Sequence, residues 1–278
     1  MLTIRALLRF RFLFIAPRDV LRLRGTIALL LVCLSLLLCD LVQRFVIAPW
    51  VTLRPNSRIA VLGRWINAMA VVVTLPLQKV GGASIQFPSR IVPCEPGTLI
   101  LMNHQSVLDI PLVVKSVADG YPRIVTRERY RRWIPLISHM VRLYQYPTVD
   151  PAANPREVLK MARSMASQAR DSDVPIAIFP EGTRTKNGEI GMFRTRGLSK
   201  VLKQRPWTVY VFVVDGYWQN AHVTDFVTDL SRLDGRVEHA ATLHWNEPRA
   251  DPGPFMEEVR TLMIDHLSVM RNGHGADA

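Results

Sequence analysis

Two charge-free apolar runs near the start of the chain limit its possible folds more than any other feature. They extend from Gly25 to Cys39 and from Trp65 to Gln78. Each is shorter than the roughly 20 residues that an upright helix needs to cross a bilayer. Asp40 and Arg44 interrupt the stretch beyond the first run. Ahead of it, residues 1–24 interleave Arg5, Arg9, Arg11, Arg18, Arg22 and Arg24 with Leu, Phe and Ile. A cleaved signal peptide would carry a shorter basic region. A lipoprotein site at Cys39 would want small residues where Leu36, Leu37 and Leu38 stand. Two core helices of a soluble domain are the competing reading. The preferred one is a membrane-anchoring helical region over 1–79, either one tilted span or a pair of helices embedded in one leaflet. Its Arg-rich flank would face the cytoplasm.

Charge and cysteine content narrow the partners. The chain carries 35 Lys and Arg against 23 Asp and Glu, a net charge of +12. Such a surplus suits nucleic acid, an anionic membrane or an anionic substrate. There is no zinc-finger spacing, no RNA-recognition signature and no basic region running into heptads, so no nucleic-acid partner is expected. Arg residues beside apolar runs fit membrane lipids better. The three cysteines, Cys33, Cys39 and Cys94, are odd in number, and two sit in an apolar run. Neither a disulfide framework nor a metal site is expected.

From about Ile91 short apolar runs alternate with amphipathic stretches, the pattern of an α/β domain. The expected fold is a mixed central sheet flanked by helices over 80–271, preceded by the membrane-associated helical segment and followed by a disordered tail over 272–278. Strands are expected at Thr98–Met102, Arg123–Thr126, Leu143–Thr148, Pro175–Phe179, Thr208–Val214 and Ala240–Trp245. The best-marked helix begins at Asn154, with Pro155 in its first turn and Glu157 completing a capping box. Val158, Met161, Ala162 and Met165 form one apolar stripe along it, read as core. The last helix is expected at Phe255–Met270, and His274 beyond it is read as incidental.

Two segments carry chemistry. Asn103-His104-Gln105-Ser106-Val107-Leu108-Asp109 comes directly after the first strand. On one ideal helix His104 and Asp109 would stand about 140° apart. They meet if His104 lies in the turn and Asp109 in the first turns of the next helix. Asp109 then accepts a bond from one imidazole nitrogen and leaves the other as a base. The bland alternative is a capping Asp and a surface His. The second segment is Phe179-Pro180-Glu181-Gly182-Thr183-Arg184, again at a strand end. Ligands of α/β sheets bind beyond such ends. Gly182 permits close backbone approach, Arg184 offers a planar fork for phosphate, and Glu181 can hold Arg184 or a substrate hydroxyl. Alone, this segment reads as a polar turn with a surface ion pair.

Together and in this order the two motifs resemble the glycerolipid acyltransferase family, which includes the 1-acylglycerol-3-phosphate acyltransferases. The resemblance covers roughly residues 80–245. It implies that His104, oriented by Asp109, deprotonates a glycerol hydroxyl that attacks an acyl thioester. The thioester is carried by coenzyme A or acyl carrier protein as co-substrate, with no cofactor. It further implies a lysophospholipid acceptor whose phosphate is bound by Glu181, Gly182, Thr183 and Arg184, with Asn103 and Arg127 alongside. Arg127-Glu128 before Ile134-Pro135 resembles the family's basic-acidic pair. The product would be phosphatidic acid, made at the cytoplasmic face of a bacterial inner membrane. One departure stands out: Tyr146 to Pro151 lacks the Arg that closes this stretch in many members. In this the chain looks more like domains that act on lysophosphatidylethanolamine. Among other classes, a lipase would need Gly-x-Ser-x-Gly and a P-loop enzyme Gly-x4-Gly-Lys; neither occurs. A non-enzymatic membrane adaptor would not require both motifs.

Overall fold

A computed structural model describes residues 17–227 and 230–272. Arg5, Arg9, Arg11 and His274 lie outside the described residues, as does the expected tail apart from Asn272, which closes the last helix.

The N-terminal region is an antiparallel helical hairpin. Helix α1 (Pro17–Val42) passes through a π-helical turn at Gln43–Ile47 into α2 (Ala48–Leu53), and α3 (Arg58–Pro76) ends in a second π turn at Leu77–Gly81. Both π turns adjoin a proline, Pro49 or Pro76. Proline has no N–H for the helical ladder, and the wider turn accommodates the gap. The antiparallel pairing is marked at both ends. Arg24 Nε donates to Val80 O at 2.9 Å, and Trp65 Nε1 donates to Gln43 Oε1 at 3.2 Å.

Each apolar run, too short by itself, is the centre of a longer helical stretch: 35 residues from Asp19 to Leu53 and 27 from Pro55 to Gly81. At 1.5 Å per residue both exceed the roughly 30 Å of a hydrocarbon core. The interrupting charges pair along the helix, Arg44 Nε lying 2.8 Å from Asp40 Oδ2. Both helices touch the rest of the chain along their length. Ala28, Val32, Cys39, Leu62 and Ile66 share one core cluster with Ile100, Met102, Phe212 and Val214 of the sheet. Gly63 and Gly120 meet backbone to backbone; a Cβ at 63 would lie 2.6 Å from Gly120 Cα. The opposite face leaves Leu30, Leu34, Leu37, Leu41, Phe45 and Leu53 exposed.

The sheet has strands β1 (Ser84–Ile85), β2 (Thr98–Met102), β3 (Arg123–Ile124), β6 (Ile176–Ile178), β7 (Trp207–Asp215) and β8 (Asp234–Trp245), in the order β1-β8-β7-β2-β6-β3. Only β7–β8 is antiparallel, so the sheet is mixed, as expected. Two further strands, β4 (Thr126–Arg127) and β5 (Thr148–Val149), form a separate parallel pair.

Side chains of β2 alternate between two cores with the period of a strand. Ile100 and Met102 face the hairpin, α4 (Asp109–Lys115) and α5 (Ile137–Leu143). Leu99 and Leu101 face α6 (Pro155–Arg170), α7 (Thr195–Leu202) and α8 (Gly253–Asn272). Cover on both faces explains why β2 and β6 read as unbroken apolar runs.

The expected cap of α6 forms, Asn154 Oδ1 accepting from Glu157 N at 3.0 Å. Two strand expectations are corrected. Arg123–Thr126 divides between the two sheets at Val125. Leu143–Thr148 is mostly not a strand. Helix α5 runs through Leu143, Gln145 takes a left-handed turn with φ 55°, and only Thr148 enters β5. Burial of Tyr144, whose hydroxyl donates to Leu62 O at 3.1 Å, outweighs the alternating pattern there.

Candidate active site

Strands β2 and β6 are parallel neighbours in register, Leu101 opposite Ile178. Their carboxyl ends therefore deliver the two motifs side by side, where α/β sheets place their ligands.

His104 lies in the turn after β2, and Asp109 is the first residue of α4. His104 Nδ1 is 2.7 Å from Asp109 Oδ2. Asp109 is fully buried, and the same oxygen accepts the amides of Gln105 at 2.6 Å and Ser106 at 2.9 Å. Acceptance of two N–H groups holds the carboxylate as an acceptor toward the ring. Among the described residues, Nε2 of His104 has no hydrogen-bond partner. The ring stacks on Phe179 with centroids 4.3 Å apart.

The second segment is bonded to this turn from both sides. His104 N donates to Glu181 Oε1 at 2.8 Å, and Thr185 N donates to His104 O at 2.8 Å. The other oxygen of Glu181 accepts Gly191 N at 2.8 Å. Glu181 thus braces backbone instead of gripping Arg184. Burial pushes its carboxyl above the ordinary range, partly countered by the two amides. Asn103 is likewise occupied within the frame. Its Nδ2 donates to Val214 O at 2.9 Å and its Oδ1 accepts Val214 N at 2.7 Å, joining the end of β2 to β7. A buried amide with both ends satisfied has little left for a substrate.

Two arginines bond to the Glu181–Arg184 loop, and a third, Arg184, belongs to it. Arg184 donates to Ala221 O, Arg127 Nη2 donates to Gly182 O at 3.4 Å, and Arg194 Nε donates to Glu181 O at 3.3 Å. None of the three forms an ion pair among the described residues. Gly182 has φ 64°, and a Cβ there would come 2.5 Å from Arg194 Cδ, so glycine lets Arg194 close over the loop. Thr183 is exposed at the loop's tip. A cavity of about 530 Å³ lies beside this segment. Met161, Met165, Ile178, Phe193 and Leu198 line it, with Phe179 and Gly182 bordering the loop side.

Sequence reasoning missed Arg194 and a polar network behind the turn. Gln105 donates to Asp215 Oδ1 at 3.3 Å and accepts Tyr217 N at 3.1 Å. Arg271, at the end of α8, meets Asp215 through two bonds of 3.0 Å and donates to Gly188 O at 3.0 Å. Burial alone would raise the Asp215 carboxyl, but the bonds from Arg271 and Gln105 hold it below the ordinary range. These residues are scattered from 105 to 271, and no local motif announces them. Among the described residues no cluster of His, Cys, Asp or Glu is suited to a metal ion.

Known proteins resemble this chain over the part that holds both motifs. The acyltransferase family model matches residues 85–214. A coconut (Cocos nucifera) protein described as a 1-acyl-sn-glycerol-3-phosphate acyltransferase is 26% identical over 172 residues, which is 61% of this chain and 53% of that protein. The chain thus spans about half the length of that relative. The crystal structure of the 1-acyl-sn-glycerophosphate (LPA) acyltransferase of Thermotoga maritima superimposes with a TM-score of 0.63, covering 89% of this chain and 98% of that one at 16% identity. The two share a fold. Residues 85–214 hold both motifs and the strands that present them, and over that span the chain is similar to the acyltransferase family.

Proposed function

We propose that the protein transfers a fatty acyl group from a thioester to the free hydroxyl of a lysophospholipid, 1-acylglycerol-3-phosphate being the favoured acceptor. The carrying observation is the His104–Asp109 contact of 2.7 Å, with Nε2 left unbonded beside the three-arginine loop. Asp109 holds the tautomer in which Nδ1 bears the proton. Nε2 takes the proton of the acceptor hydroxyl as its oxygen bonds to the thioester carbonyl carbon. The tetrahedral intermediate collapses, the C–S bond breaks, and the thiolate leaves with the proton returned by the imidazolium. The logic is that of a Ser-His-Asp site whose nucleophile belongs to the substrate.

Arg184, Arg127 and Arg194 hold the acceptor phosphate. Arg194, which donates to Glu181 O, is read as supplying the cation that Tyr146–Pro151 lacks, and this favours a phosphate monoester over a zwitterionic head group. The apolar cavity takes an acyl chain. Coenzyme A and acyl carrier protein are both suitable donors. The hairpin's exposed apolar face seats the protein in a membrane. Since Ala28, Val32 and Cys39 of α1 join the core cluster of the sheet and Gln43 bonds to His139 of α5, the hairpin lies along the catalytic layer.

The test is thiol release by purified protein given an acyl thioester and a panel of lysolipids. Release that requires 1-acylglycerol-3-phosphate supports the reading. Release without any acceptor makes the protein a thioesterase, and release only with lysophosphatidylethanolamine moves the acceptor. Arg184→Ala raises the KM for lysolipid well above its effect on the thioester; the reverse assigns Arg184 to the donor.

A further inference from the structure

The region between β4 and α5 has no role in the chemistry above, yet it is built in an unusual way. Arg131, Arg132, Trp133, Ile134 and Pro135 are all exposed, Trp133 at 94% of its full surface. An isolated, fully exposed Trp forfeits the burial that usually justifies the residue. Trp133 also adopts φ 67°, and Leu136 φ 62°. Left-handed backbone at bulky residues is strained and persists where the surroundings over-determine it. Here they do. Leu136 is buried, Ile134 N donates to Ser138 Oγ at 2.9 Å, and Arg142 Nη1 donates to Arg131 O at 2.7 Å. The loop is therefore a fixed projection that holds an indole and an isoleucine out from the surface, between arginines.

Its position adds a second observation. Helix α5, which starts at Ile137, bonds to the hairpin through His139 Nδ1 and Gln43 Nε2 at 2.9 Å. The base of the loop is thus fastened to the hairpin at Gln43. There the exposed apolar side chains Leu38, Leu41, Phe45 and Val46 are concentrated. Arg129 stacks on Tyr130 at 5.0 Å, adding a cation to the same projection. Indole beside arginine, continuous with an apolar face, is the chemistry of a bilayer interface with anionic head groups.

We propose that the Arg131–Pro135 loop is a second membrane contact, inserting Trp133 and Ile134 at the head-group level of an anionic bilayer while Arg131 and Arg132 meet lipid phosphates. This rests on the membrane seating given above but not on turnover. The loop comes shortly after β4, so it ties the depth of Arg127 and the Glu181–Arg184 loop to the lipid surface.

The test uses the full chain in vesicles of phosphatidylcholine with or without phosphatidylglycerol. The emission of Trp133 is the difference between wild type and Trp133→Phe. On anionic vesicles carrying acyl-brominated lipid this difference signal should lose most of its intensity, and its quenching by aqueous iodide should fall several-fold. Replacing Arg131 and Arg132 by Gln should weaken the bromine effect. A difference signal that ignores bromine and stays open to iodide overturns the proposal, even if the hairpin keeps the protein on the vesicle. The same optical result with a raised KM for a carrier-protein thioester in Trp133→Ala assigns the loop to an acidic protein partner and also overturns it. Quenching without any acyl transfer would sustain the loop's role and sink the proposed reaction.

Discussion

The helical hairpin and the turn around His104 solve opposite problems. In the hairpin, large apolar side chains remain exposed along one whole face, and most side-chain polar bonds stay within one helix or between the two arms. Around His104 the buried polar groups are nearly all bonded: Asn103 to Val214, Gln105 to Asp215 and Tyr217, Ser106 to Asn220 O at 2.6 Å. Apolar burial is non-directional and tolerates a sliding, lipid-facing surface. Proton transfer needs atoms held to fractions of an ångström, and only a satisfied network of directional bonds supplies that. Substitutions in the turn should therefore strike activity, and substitutions in the hairpin should strike stability and seating.

The sharpest separation is at the base. His104→Ala should lower acyl transfer by about 10²–10⁴-fold while the protein keeps its thermal midpoint and its membrane fraction. Asp109→Asn should approach the same loss through the wrong tautomer. Rates of each variant beside its unfolding curve check this; a His104→Ala enzyme near wild-type turnover would sink the mechanism.

A change at the seam between the two regions should do the reverse. Gly63→Val drives a side chain into Gly120 backbone, which has no room to yield. It should destabilise by about 1–3 kcal/mol, typical of overpacking, with kcat of the surviving folded fraction little changed. Thermal unfolding in detergent, with activity per folded molecule, reads this. A large loss of kcat at unchanged stability would show that the hairpin helps shape the site.

The smallest effect is expected from pH. Asp215 is held below the ordinary carboxylate value of 3.8, so the folded state binds fewer protons there than the unfolded chain. Its contribution is therefore complete above that value and is lost as pH falls below it. Asp215→Asn should flatten the acid limb of stability below about pH 4 and leave the neutral limb parallel to wild type. Denaturant midpoints across that range test it; an unchanged acid limb would mean that Arg271 finds another partner.

Much of this was legible in the chain. The charge-free runs, the alternation after Ile91, the Asn154 cap and the two motifs are local signals, each set by neighbours within a few residues. His104 and Asp109 could be paired on paper because they stand only five residues apart. The roles of Glu181 and Asn103 could not. Each looked free to face a substrate, and each has its polar atoms taken by backbone far away in sequence, at His104 and Gly191 or at Val214. Leu143–Thr148 failed for a related reason: alternation signals a strand only when nothing outside the segment claims the side chains, and the core claimed Tyr144.

Periodicity and short-range chemistry were enough for the α/β class, the order of its parts and the apolar helices, while the pairing of His104 with Asp109 followed from the resemblance that the two motifs carry together. Packing in three dimensions settled the rest: Arg194 joins Arg127 and Arg184 at one loop, Arg271 and Asp215 stand behind the turn that carries His104, and Trp133 is held out beside the hairpin. Those arrangements depend on parallel strands bringing distant segments into register, and no local pattern encodes which segments will meet.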